Sequence, residues 1–225
     1  MFEINHNEIP FSIAQSFLKI QGYSASESGR VQIATASKLP VTLINANHYS
    51  HDFYEIALFK DEQEVKYTAV AQPWQLDLHS DEGNAVFTFA DANTFVFEAE
   101  NLEICLIPCK GFAWKVARRN GDVVLFDYSG CCHHHARAAA GTSMQCYEST
   151  TSRGQKGNSD KPYTLSFKSN GKTQGALHFN RFGDKWEEFE LDVGSAAAEV
   201  KSNFDAWMEK MPHVNDKYQE TAEYA

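Results

Sequence analysis

Before Gly194 no window of this 225-residue chain carries apolar residues at helical spacing, and short β-rich runs alternate with turn residues instead. Parallel strands need long crossovers, usually helical, so the strands of such a chain pair antiparallel. Stacked antiparallel sheets are the architecture this leaves.

Asn120-Gly121 is the clearest hairpin signal, because both residues tolerate positive φ and the pair sits between β-like runs at 112–119 and 122–128. Asn170-Gly171 reads the same way and is expected to join 163–168 to 173–179. Around Glu82-Gly83-Asn84, the series Trp74, Leu76 and Leu78 alternates with polar residues, as do 86–89 and, past a turn at 91–93, 95–97. Earlier candidates are 31–36, 41–45, 54–59 and 64–70, with Asp61-Glu62 turning between the last two; 185–191 reads as a further strand. Segment 148–161, rich in Ser, Thr, Gly and Asn, reads as a mobile loop. The expected fold is mainly β, an antiparallel β-sandwich of the super-sandwich kind with about eleven strands and a C-terminal helical linker.

Acidic residues outnumber basic ones by 30 to 20, for a net charge of -10, which disfavours nucleic acid and anionic membrane as partners. The start, Met1-Phe2-Glu3-Ile4-Asn5-His6, lacks a basic region followed by an apolar one, and no run approaches the ~20 apolar residues of a membrane span. A soluble, cytoplasmic protein is expected. The cysteines at 105, 109, 131, 132 and 146 are odd in number and clustered, unlike a secreted disulfide framework, so reduced thiols are expected.

The helical pattern begins with Ser195 as N-cap and places Val200, Phe204, Trp207, Met208 and Met211 on one stripe before Pro212 ends it. Asn215 caps a second expected helix, with Asp216 in its first turn and Tyr218, Ala222 and Ala225 on one face. Burying the first stripe would stabilise by on the order of 10 kcal/mol, so it needs a partner. That partner is either the chain's own sheet or a further domain, for which Phe204, Trp207, Met208 and Met211 form the docking face.

Cys131-Cys132-His133-His134-His135 is the densest set of metal-ligand residue types. On a strand only alternate side chains share a face, which groups Cys131, His133 and His135, with Cys146 or Cys109 as a remote fourth ligand. No C-x-x-C pair supports this, so ordinary strand or loop residues are the simpler reading, and neither metal nor other cofactor is expected. A nucleophile at Cys131 or Cys132 among the imidazoles is weaker still. Glu187, Glu188 and Glu190 do not mark a catalytic pair, since neighbours on a strand face opposite ways. Trp74, Trp114 and Trp186 fall on expected strands, as sheet packing or as a platform for sugar rings.

The order Glu8-Ile9-Pro10-Phe11-Ser12, then Val65 to Tyr67 leading to Pro73, then Asn93-Thr94-Phe95-Val96-Phe97-Glu98 and Gly111-Phe112-Ala113-Trp114, resembles the N-terminal β-sandwich of bacterial glycoside hydrolases related to family 63. In that group, which belongs with the six-hairpin glycosidases, a helical linker similar to 204–212 leads into an (α/α)6 barrel. The pattern departs at Ala14-Gln15-Ser16, and nothing matches it between Cys131 and Gly157. The resemblance implies a sandwich over 1–193, and over 194–225 a linker and the first part of a barrel that this chain lacks. It also implies that the acid and base carboxylates belong to the barrel. The implied protein is a non-catalytic glycosidase domain, inactive alone, whose partner is α-linked carbohydrate held by the barrel. Two other classes stand beside it: a self-contained sugar-binding sandwich using Trp74, Trp114 or Trp186, and a metal-binding sandwich built on Cys131, His133 and His135.

Overall fold

A computed structural model describes residues 11–16, 18–22, 29–35, 52–109, 113–127, 132–149, 162–181 and 191–211. Along the chain the strands are β1 (Leu18–Gln21), β2 (Gln32–Thr35), β3 (Asp52–Lys60), β4 (Gln63–Val65), β5 (Thr68–Ala71), β6 (Leu76–Ser80), β7 (Gly83–Asp91) and β8 (Thr94–Glu100). There follow β9 (Glu103–Pro108), β10 (Ala113–Arg119), β11 (Asp122–Asp127), β12 (Cys132–Ala138), β13 (Ser143–Glu148), β14 (Tyr163–Lys168), β15 (Lys172–Arg181) and one helix, α1 (Val193–Met208). The first sheet runs β1-β2-β3-β9-β14-β13 with β4 added on β3, and the second runs β10-β11-β12-β15-β8-β7-β6-β5. Pairing is antiparallel at every described junction, as short connections require. The expected β-sandwich is therefore the observed one.

Two of the expected turns form as tight hairpins. Asn120 and Gly121 take φ of 50° and 88°, and Asp61 and Glu62 take 49° and 68°, the double left-handed geometry whose twist matches the flanking strands. The other Asn-Gly pair behaves differently. Neither Asn170 nor Gly171 enters the left-handed region, and β14 and β15 lie in different sheets, so Asn170-Gly171 is a crossing between layers and the expected 163–168 to 173–179 hairpin does not exist.

A second correction concerns 64–70, which is not one strand. The chain leaves the first sheet after β4 and enters the second at β5. Tyr67 lies at the crossing, where its hydroxyl donates to the Ile56 carbonyl at 2.6 Å and accepts from the Val31 amide at 3.0 Å. Burial of a hydroxyl is tolerated when both its roles are filled. The strands at 18–21, 103–108 and 143–148 were not anticipated, while the expected strands at 41–45 and 185–191, the helix from Asn215 and all but the start of the 148–161 loop lie outside the described residues.

Between the sheets the core is built largely of phenylalanine. Phe53 and Phe167 from the first sheet meet Phe179 and Phe97 from the second, with ring centroids 5.1 Å and 4.9 Å apart. Gly175 makes room for this layer, because a Cβ there would stand 2.7 Å from the Phe97 ring and 2.8 Å from the Phe167 ring.

Helix α1 forms a third layer, on the outer face of the second sheet, where Val193 and Ala196 close over Val96 and Ala176. Its N-cap is Asp192 and not Ser195: the Asp192 carboxylate accepts from the Ser195 amide at 3.0 Å and from the Ser195 hydroxyl at 2.8 Å. No described helix is long and apolar enough to cross a membrane.

Candidate functional site

The apolar stripe of α1 is buried at one end and open at the other. Val193 and Ala196 are covered by the sheet, Val200, Phe204 and Met208 are half-buried, and Trp207 and Met211 are each 44% exposed. The stripe foreseen from the sequence thus contacts its own sheet only in part. Beside its open end lies a groove of about 490 Å³, lined by Ile13, Pro73, Val200, Phe204 and Trp207 among others.

Trp74, just ahead of β6, belongs to this region. Its ring lies 6.2 Å from that of Phe204, and the Lys201 ammonium sits 4.9 Å from its centroid. Helix α1 therefore engages the ring. Trp114 is on β10 with its side chain outside the described residues, as is all of Trp186, so Trp74 is the one of the three whose contacts are described.

The cysteine and histidine run forms most of β12, and its alternation sorts the side chains between two faces. Of the expected set, Cys131 lies outside the described residues. His133 is half-buried against the Phe126 ring, at 4.6 Å between centroids. His135 is buried on that same outer face, with Nε2 2.7 Å from Asp122 Oδ2. Asp122 also accepts from the Arg137 guanidinium at 2.9 Å. Burial lowers the His135 pKa from 6.5 to about 4 against the opposing pull of Asp122.

The other parity carries the tighter cluster. Cys132 and His134 point into the core, and Asp127, which faces Cys132 across the β11–β12 pairing, joins them. The three donor atoms lie within 4.8 Å of one another, and all three residues are buried. Tyr54 reaches across from β3 in the first sheet and places its hydroxyl 2.9 Å from His134 Nδ1. The described cluster of three therefore lies on the face opposite His133 and His135, while Cys131 is outside the described residues. Cys132-x-His134-x-Ala136 is the core-facing series, and its apolar third member was the available signal. Burial of Cys132 also removes it as an accessible nucleophile, while burial raises the thiols of Cys105 to about 12 and Cys146 to about 11.

No family model and no curated protein matches this sequence. Among solved structures, a family GH92 α-mannosidase from Bacteroides thetaiotaomicron shares the fold with a TM-score of 0.56 at 11% identity, over 93% of this chain and 37% of that one. The likeness is one of fold. The chain spans little more than a third of the enzyme it resembles.

Proposed function

We propose that this chain is a non-catalytic β-sandwich domain of a glycoside hydrolase acting on α-linked carbohydrate, and that it seats a separate catalytic domain against the open end of α1. The observation that carries this reading is the fold likeness itself: nearly all of this chain superposes on 37% of an α-mannosidase, which leaves most of that enzyme to other parts. The half-open stripe supports the same reading. Trp207 and Met211 continue the stripe of Val193, Ala196 and Val200 and are exposed, so a second apolar surface would complete their burial.

The family-63-like order of residues extends the proposal to a helical barrel that carries the acid and base carboxylates. Hydrolysis by such a pair passes through an oxocarbenium-like transition state. In this role the sandwich contributes support and orientation, with carbohydrate bound by the barrel. The odd number and clustering of the cysteines support a reducing, cytoplasmic setting.

The test is to read the gene past codon 225 and express its whole product. The expected outcome is a helical-repeat domain after Ala225, hydrolysis of aryl α-glycosides by the whole product and no hydrolysis by residues 1–225. Replacing Trp207 and Met211 by alanine should then lower the melting temperature of the whole product more than that of 1–225. A frame that closes at Ala225, or continues without a helical-repeat domain, overturns the reading.

A further inference from the structure

The buried group at Asp127, Cys132 and His134 has the chemistry of a metal site. It combines a carboxylate, a thiol and an imidazole, the donor types that zinc accepts, and the fold delivers them by simple means. Cys132 and His134 are alternate residues on the inward face of β12, and hairpin register sets Asp127 opposite Cys132.

The three donor atoms lie within 4.8 Å of one another, close enough to share a cation. His134 Nε2 is 3.5 Å from Asp127 Oδ2, beyond the usual range for nitrogen and oxygen. Cys132 Sγ is 4.0 Å from the same oxygen. With ordinary zinc-to-ligand distances, a tetrahedron sets its nitrogen and oxygen corners roughly 3.4 Å apart and its sulfur and oxygen corners roughly 3.6 Å apart. The nitrogen–oxygen spacing is already close to its value, and the sulfur–oxygen spacing exceeds its value by a few tenths of an ångström.

Tyr54 supplies the outer contact such a site requires. If His134 Nδ1–H donates to the Tyr54 hydroxyl at 2.9 Å, Nε2 is left with its lone pair facing Asp127 and Cys132. Charge favours the same occupant. A divalent cation with one carboxylate, one thiolate and one neutral imidazole forms a neutral unit, which suits groups with at most 2% exposure.

We propose that Asp127 Oδ2, Cys132 Sγ and His134 Nε2 bind one zinc ion, with water as the fourth ligand and Tyr54 as the positioning residue for His134. On binding, the Cys132 S–H bond breaks, its electron pair forms the zinc–sulfur bond and the proton passes to solvent. The ion joins β11 to β12 and, through Tyr54, ties the second sheet to the first. This inference is independent of the glycosidase reading.

The experiment uses the full 225-residue chain, stripped with chelator and titrated with zinc and then with cobalt(II) as a spectroscopic substitute. The expected result is one ion per chain, a thiolate-to-cobalt charge-transfer band, and loss of that band in Cys132→Ser but not in Cys131→Ser. Tyr54→Phe keeps the ring and the packing, so it should remain folded by circular dichroism and bind zinc about 10- to 100-fold more weakly. Failure of the stripped wild-type chain to take up zinc overturns the proposal, as does a cobalt band that survives in Cys132→Ser. Unchanged zinc affinity in a folded Tyr54→Phe protein overturns the positioning role.

Discussion

His135 Nε2 and Asp122 Oδ2 stand 2.7 Å apart on the outer face of the second sheet, and the imidazole is held neutral there although a carboxylate is its partner. Burial outweighs the attraction of Asp122, and Arg137 and His178 press in the same direction as burial. Above pH 6.5 the ring is neutral in both folded and unfolded chains. Between that value and about 4, the unfolded chain takes the proton and the folded one does not, so stability falls as pH falls through this window. Urea midpoints at pH 7 and pH 5 should show the loss, and His135→Gln should make it smaller. An equal loss in the variant would remove His135 as its source.

Gly175 is the position where the core tolerates least. An alanine Cβ would meet the Phe97 and Phe167 rings at 2.7 Å and 2.8 Å, and both rings are fixed by the opposing sheet layers. Forcing them apart should cost about 1–3 kcal/mol. For a chain of this length that lowers the melting temperature by several degrees, about 2–4 °C per kcal/mol. A Gly175→Ala protein that melts with the wild type would show that the phenylalanine layer yields more easily than its packing suggests.

Local turn chemistry was readable in the sequence where one short stretch decides the outcome. Asn120-Gly121 and Asp61-Glu62 adopt the left-handed pairs that their residue types favour, and strands such as 122–127 follow from them. Long-range choices were not readable. Whether the chain after Phe167 turns back in its own sheet or crosses to the other depends on which neighbours are free, and β14 already has β9 and β13 on its two sides. The face of β12 was ambiguous for a related reason: both parities carry histidine, and only the burial of Ala136 separates them. Tyr54 gave no signal, because its meeting with His134 is made by the stacking of two sheets, and Asp127 joins them only through the register of β11 on β12.

At the end of α1 the two aromatic residues should respond differently to truncation. Phe204 is half-buried and rests on Trp74, so Phe204→Ala should destabilise the chain by about 1–2 kcal/mol. Trp207 is 44% exposed, and Trp207→Ala should change stability by no more than about 0.5 kcal/mol. Thermal melts of the two variants decide this. A large loss from Trp207→Ala would mean that the groove side of its ring already carries the packing, leaving less to offer a second domain.

The two Asn-Gly pairs allow a direct comparison of one dipeptide in two roles. Gly121 sits at φ of +88°, where an L side chain is disfavoured, so Gly121→Ala should cost about 1–2 kcal/mol even though the space around it is open. Gly171 has open space as well and lies outside the left-handed region. Alanine there reduces the freedom of the unfolded chain without straining the folded one, so Gly171→Ala should be neutral or stabilise by about 0.4–1 kcal/mol. Equilibrium unfolding of both variants in urea separates the cases. If both lose stability equally, Gly171 is held in a hairpin conformation after all, and the crossing of the chain from β14 to β15 would have to be redrawn.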